Sequence, residues 1–162
     1  MEAENVSMET IQDFLAQKRI AMVGISRHPR DFSEHLFKEL CRRGYDVVPV
    51  NPNATEVLGR HCFAQVQEIE PPVQAALLMT SPAATDAVVH DCAEAGIDRV
   101  WMYRSGRRGG AVSGKAIQFC HEHGIRVVPG QCPFMFWRDA GAGHRIHGFI
   151  RKITGGYPRR VH

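Results

Sequence analysis

The sequence predicts an α/β domain built on a doubly wound, five-stranded, mostly parallel sheet. Three observations lead there. Short apolar runs alternate with longer amphipathic stretches along most of the chain, the pattern of strand and helix in turn. The short runs are rich in Val, Ile and Leu and nearly unbroken by polar residues, as strands buried on both faces require. The amphipathic stretches stop at glycines, Gly44, Gly96 and Gly124, and glycine is the residue that most readily closes a helix in the left-handed conformation.

Taken in order, residues 8–17 read as a short helix capped by Ser7 and lying ahead of the first strand. Arg19-Ile20-Ala21-Met22-Val23 is that strand, ending at Gly24. Residues 33–43 follow as a helix, with Leu36, Phe37 and Leu40 at helical spacing. Asp46-Val47-Val48-Pro49-Val50 is the second strand, closed by Asn51-Pro52. Residues 75–79 form the third, 82–95 a helix, 99–103 the fourth strand, 110–123 a helix and 125–128 the fifth strand. Ile146, Phe149, Ile150 and Ile153 predict a C-terminal amphipathic helix over 144–153, inside a tail rich in Gly, Arg and His. The reading divides the chain into a lead-in helix over 1–17, a core domain over 18–135 and a basic helix and tail over 136–162. Right-handed crossovers make the core Rossmann-like, with any ligand at the carboxyl ends of the strands.

Composition narrows the class. A chain of 162 residues with 44% apolar and 23% charged residues suits one globular domain. No apolar run approaches the ~20 residues that span a bilayer. The polar, acidic stretch Met1 to Thr10 is neither a signal peptide nor a basic transit sequence, so the expected location is the cytoplasm. Five widely spread cysteines with no C-x-x-C pair fit neither a disulfide framework nor a zinc ribbon.

In such a fold the turns after the strands carry the chemistry. The first reads Gly24-Ile25-Ser26-Arg27-His28-Pro29-Arg30. A glycine lets backbone approach a phosphate, the following helix offers free N–H groups, and Arg27 and Arg30 add charge. The dinucleotide fingerprint needs three glycines here, and Gly24 stands alone. It also needs an acid at the end of the second strand, where the chain has Val50-Asn51-Pro52-Asn53. NAD is disfavoured on both counts, and an NADP site would still lack its loop glycines. The third turn, Thr80-Ser81-Pro82, suits either helix capping or a ligand contact. The fourth, from Met102-Tyr103-Arg104 to Gly109-Gly110, is glycine-rich and basic, either a phosphate-facing lip or a solvated loop.

Together, Gly24-Ile25-Ser26-Arg27, Val50-Asn51-Pro52, Gly59, Thr80-Ser81-Pro82, the Ala95 to Trp101 segment and Gly130-Gln131-Cys132-Pro133 resemble the small stand-alone CoA-binding domain proteins. These are relatives of the CoA-binding domain in the α subunit of succinyl-CoA synthetase, and the likeness runs from about Lys18 to Cys132. It implies that Gly24, Ile25, Ser26, Arg27 and Arg30, with Ser33 behind them, hold the pantetheine and phosphate end of coenzyme A or an acyl-CoA. Val50, Asn51 and Pro52 would border the adenine and ribose. Thr80, Ser81 and Pro82 would line the other side of the cleft, and Met102, Tyr103 and Arg104 would close it. The chain carries Ile25 where the family has a small residue. The synthetase's phosphorylated histidine belongs to a second domain, so the resemblance implies binding and no chemistry.

No catalytic set and no metal site are expected. His121 and His123, two apart on a helix, face different directions, and His144 and His147 lack a third ligand. Cys132 stands in a strand-end turn but shows no adjacent base, and is read as a buried structural thiol. The competing reading is a basic surface that binds nucleic acid or another polyanion through Arg104, Arg107, Arg108, Arg151, Lys152, Arg159 and Arg160. No nucleic-acid motif accompanies those residues. A homo-oligomer or an enzyme partner remains open, with the aromatic run Phe134 to Trp137 as an interface if exposed.

Overall fold

A computed structural model of the protein describes residues 6–26, 31–104 and 110–137. Helix α1 (Met8–Leu15) precedes strand β1 (Arg19–Val23), and α2 (Phe32–Arg42) leads to β2 (Asp46–Val50). A hairpin, β3 (Glu56–Val57) and β4 (Arg60–His61), follows, then β5 (Ala75–Leu78), α3 (Pro82–Glu94) and β6 (Arg99–Tyr103). Helix α4 (Gly114–Glu122) and β7 (Arg126–Gln131) come next, and a single helical turn over Pro133–Phe136 ends the described chain. The five long strands lie in the order β2-β1-β5-β6-β7, every pair parallel. This is the doubly wound, Rossmann-like architecture.

Strand side chains alternate between two faces, and both faces are covered. Ile20, Met22, Val47, Leu77, Trp101 and Val128 point to the side that holds α1, α2 and the segment after β7. Ala21, Val23, Val48, Leu78, Val100 and Met102 point to the side that holds α3 and α4. On the first side α1 sits over β6 and β7. Its Ile11 is fully buried, and Phe14 meets Trp101 edge-on with centroids 5.3 Å apart. Phe134, Phe136 and Trp137 pack on the same face, Phe136 against Trp101 at 5.9 Å and Trp137 beneath the Arg43 guanidinium at 4.2 Å. The aromatic run is therefore core and covering layer; Phe134 is buried and Phe136 and Trp137 half-buried.

Both edge strands carry a proline turned outward. The Pro49 carbonyl accepts from the Phe63 N–H on the outer side of β2 (3.1 Å), so the donor missing from Pro49 is missing on that side. In β7 the Arg126 N–H donates inward to the Asp98 carbonyl (2.9 Å), and a period of two turns Pro129 outward. A proline at such a position denies a neighbouring chain a ladder hydrogen bond.

Several boundaries differ from the sequence reading. Helix α4 starts at Gly114 rather than at residue 110, because Ser113 is its cap, accepting from the Ala116 N–H (3.3 Å). Ala111 meanwhile returns to the sheet, its N–H donating to the Tyr103 carbonyl (2.8 Å). Strand β7 runs on to Gln131, since an outward proline interrupts no inner bond. The β3–β4 hairpin was not anticipated; Leu58 and Gly59 turn it with φ of 49° and 77°, the paired positive angles of a two-residue loop. The expected helix over 144–153 lies outside the described residues. No described helix is long and apolar enough to cross a membrane.

Beneath the sheet, Asp13 of α1 pairs with Arg99 (2.7 Å) and Arg126 (2.9 Å), and Arg99 also pairs with Asp98 (2.7 Å). This joins α1 to the first residues of β6 and β7. Replacing Asp13 with Ala is expected to lower stability by about 1 kcal/mol, with the loss shrinking at high ionic strength. Urea unfolding at two salt concentrations measures it; an equal loss at both would show that charge is not what holds α1.

Candidate functional site

The strand order reverses beside β1. From β1 the chain crosses to β2 on one side, and β5, β6 and β7 lie on the other. The turns after β1 and β5 therefore diverge, and a cavity of about 500 Å³ opens between them. Ligand sites commonly fall between ~300 and ~1,000 Å³.

Gly24 makes the close approach at its floor. Its φ is +84°, and a Cβ placed there would sit 3.0 Å from Thr80 Cγ2 and 3.1 Å from the Met79 carbonyl carbon and oxygen. Its N–H donates to the Val50 carbonyl (3.1 Å), holding the turn to β2. Ile25 is fully buried in the core. The side chain thus anchors the turn from below, which explains how a large residue fits there. The Ile25 carbonyl accepts from Asn51 Nδ2 (3.0 Å), and Asn51 Oδ1 accepts from the Asn53 N–H (2.8 Å). Asn51 is thus a clamp between the ends of β1 and β2.

The entry to α2 forms the next wall. Asp31 caps the helix, its Oδ1 accepting from the Ser33 N–H (2.8 Å) and the Ser33 hydroxyl (2.7 Å). Ser33 Oγ in turn accepts from the Ser26 N–H (2.9 Å). The Ser26 N–H is thereby committed to Ser33. Opposite stand Thr80, Ser81 and Pro82 at the start of α3, with Ser81 Oγ accepting from the Ala84 N–H (3.3 Å). Tyr103 and Phe32 close the far side, their rings stacked at 5.3 Å and 27°. Gly110 completes the rim, because a side chain there would collide with the Tyr103 carbonyl oxygen and sit 2.9 Å from Arg104 Cα.

Of the expected residues, the cavity brings together Gly24, Ser26, Ser33, Thr80, Ser81, Pro82 and Tyr103. Val50 and Met102 are buried in the core and lie outside this lining. Asn51, Pro52 and Arg104 stand at neighbouring strand ends outside the lining. Arg27 and Arg30 lie outside the described residues, as do Arg107, Arg108 and the basic residues of the tail. Asp31, Phe32, Met79, Gly110 and Ala111 line the cavity without having been expected. Asp31 was legible as the start of a helix, but only its place beside the strand ends makes it part of a site. A larger hollow of about 730 Å³ runs along the outer edge of β7, bordered by Ser7, Thr10, Arg126 and Pro129. It is not at the strand ends, and the smaller cavity is the better candidate for that reason.

Burial disfavours the thiolate at the four buried cysteines. Burial pushes the Cys132 thiol above its ordinary range, against smaller opposing hydrogen bonds from the Phe134 backbone and the Tyr103 side chain. Burial likewise pushes Cys120 up to about 12 and raises Cys62 and Cys92. Among the described residues no group of three or more His, Cys, Asp or Glu is disposed to hold a metal. His123 sits at the end of α4 with Nδ1 2.9 Å from the Phe119 carbonyl, a helix-terminal contact.

A family model described as the CoA binding domain matches residues 18–138, and the chain belongs to that family. An uncharacterised protein of Bacillus subtilis, YneT, is 28% identical over 130 residues, covering 80% of this chain and 93% of that protein. The ADP-forming acetate–CoA ligase II of Archaeoglobus fulgidus is 25% identical over 124 residues, 72% of this chain but 18% of the ligase. The solved structure of a hypothetical protein from Pyrococcus horikoshii is 30% identical, with a TM-score of 0.70 over 77% of this chain and 84% of that one.

Two outcomes test the site's construction. Gly44 has φ +90° with nothing within 4 Å of a built Cβ, so Gly44→Ala isolates the left-handed cost of about 1–2 kcal/mol. Gly24→Ala is expected to cost at least about 1 kcal/mol more, from the crowding at Met79 and Thr80; chemical unfolding of both variants compares them. Alkylation of the folded protein at neutral pH is expected to label half-buried Cys41 well before Cys132, because a raised pKa leaves little thiolate. Mass spectrometry of the peptides reads the order.

Proposed function

We propose that this member of the CoA-binding domain family binds coenzyme A or an acyl-CoA at the carboxyl ends of β1 and β5, without catalytic machinery of its own. The observation that carries the reading is the cavity at the reversal of strand order, floored by the left-handed Gly24. The missing Cβ at Gly24 lets the turn after β1 close against Met79 and Thr80, so that both strand ends border the one cavity.

The chemistry of the surrounding ends supports the same ligand class. Coenzyme A carries a pyrophosphate and a 3′-phosphate, and so calls for cations near the ribose in place of the carboxylate that holds an NAD ribose. The end of β2 offers Asn51, whose amide is already spent on Ile25, and no acid. In this reading Arg27, Arg30 and Arg104 supply the positive charge. Val50, Asn51 and Pro52 shape the ledge for the adenine and ribose, and Thr80, Ser81, Pro82 and Tyr103 face the pantetheine arm. Ile25 and Met102 act from the core by fixing the two turns. Burial raises the Cys132 thiol, which disfavours the thiolate that a nucleophile needs. The match to 18% of an acetate–CoA ligase fits a chain that shares that enzyme's CoA-handling part. A cytoplasmic carrier, a sensor or a partner for a CoA-using enzyme would each use such a module.

Thermal unfolding with CoA, acetyl-CoA, NAD, NADP and ATP tests the reading. At 100 times its dissociation constant a ligand adds about 2.7 kcal/mol, and the expected rise with CoA is roughly 5–10 °C, with none from NAD. An equal response to NAD, or none to either CoA species, would refute it.

A further inference from the structure

We propose that the hollow along the outer edge of β7 is the seat of the chain's own residues 144–153. In this arrangement they lie against it as an amphipathic helix and close the open side of the sheet.

The two edges of the sheet are treated differently. On the outer side of β2 the Phe63 N–H donates to the Pro49 carbonyl (3.1 Å) and the Asn51 N–H to the Phe63 carbonyl (2.9 Å), so chain already lies there. Among the described residues no strand lies beyond β7. Its edge instead floors the hollow of about 730 Å³, walled by Ser7 and Thr10 at the start of α1 and by His121 and Gly124 at the end of α4. Val6, Ile125, Val127 and Pro129 give that hollow its apolar surface. A further strand is a poor occupant. Val127 and Pro129 turn their backbone groups outward, and Pro129 has no N–H to give. The floor therefore offers more carbonyl oxygens than donors, which suits a helix bringing apolar side chains and cations.

A segment of that kind lies in the same chain. Ile146, Phe149, Ile150 and Ile153 recur at i, i+3, i+4 and i+7, one apolar strip with Arg145 and Lys152 along its border. So short a helix, with Gly148 inside it, is marginal alone in water and needs a surface to lie on. Residues 144–153 as a helix would be about 15 Å long, and β7 from Arg126 to Gln131 extends for about 20 Å. The reach is also sufficient. The described chain ends at Trp137 on the face that α1 covers, with Phe136 against Trp101 of β6, the strand beside β7. Residues 138–143, rich in Gly and Ala, span up to about 20 Å, enough to pass a helix about 10 Å across. Charge agrees. Arg126 in the floor is met by Asp13 (2.9 Å) and Asp98 (4.0 Å). Exposed Glu9 and Glu122 stand beside Thr10 and His121 at the two walls, an acidic rim for the cations that border the strip.

Amide NMR of the full chain tests the assignment, with two variants that disturb the contact from opposite sides. One carries Phe149→Ser and Ile150→Ser together; the other carries Thr10→Arg, which crowds the wall of the hollow. In the first, the amide signals of Thr10, Gly124 and Val127 are expected to move while those of Gly24 and Thr80 stay. Exchange of the Val127 amide with solvent is expected to quicken roughly tenfold, as its cover is lost. In the second, the amides of residues 146–153 are expected to move while Phe14 keeps its signal, which shows that α1 is intact. Signals at the hollow that ignore the tail variant, or changes confined to another surface, would overturn the proposal. So would changes that grow with protein concentration alongside a doubled mass in sedimentation, because the segment would then come from a second copy.

Discussion

A parallel sheet cannot leave a face to water, because its crossovers and its nearly all-apolar strands demand cover on both sides. In this protein that constraint reaches well beyond the strands and helices of the alternating core. The α3 and α4 side is closed by the crossovers themselves, but on the other side α2 covers only part of the sheet. Trp101, the largest fully buried side chain, stands on the side that would remain bare. It is covered by Phe14 from before β1 and Phe136 from after β7. Its indole N–H is satisfied by the Gln131 carbonyl at 2.9 Å. Segments from the two ends of the described chain thus meet over one tryptophan. The Asp13–Arg99–Arg126 pairs and the Tyr45 hydroxyl, which donates to the Leu15 carbonyl (2.5 Å), hold α1 in that place.

With both faces filled, polar chemistry is left to the strand ends, and there the same economy of space operates. Gly24 is held between the Val50 carbonyl on one side and Met79 and Thr80 on the other. The turn is clamped from β2 by Asn51 and supported from the core by Ile25. Nothing in this arrangement depends on a ligand; the hydrogen bonds from Ser26 to Ser33 and from Ser33 to Asp31 are made within the chain. The cavity is organised before anything enters it, and that lowers the ordering cost of binding.

The pattern of apolar runs located all five long strands and the three crossover helices, since burial on both faces leaves so plain a mark on a strand. Its errors were local. Helix α4 was drawn too early; its start is set by Ser113, whose Oγ accepts from the Ala116 N–H. Strand β7 was drawn too short, since it continues through Pro129, whose outward orientation at a sheet edge makes it harmless. The β3–β4 hairpin, two residues to a strand, is too brief for periodicity to register.

The sequence by itself determined the class of fold, the strand-end turns and the loss of the dinucleotide fingerprint. Each of these depends on which residue types follow one another, and local chemistry is enough to read them. Only the tertiary structure decided which of those turns meet. Seven expected residues converge on one cavity, while Val50 and Met102 turn into the core, and Asp31 and Phe32 join from the start of the helix whose N–H groups were expected to face a phosphate. The bonds from Ser26 to Ser33 and from Ser33 to Asp31 are likewise a matter of groups lying within hydrogen-bond reach in space. Strand order and side-chain packing set those distances, and neither is written in the spacing of residues along the chain.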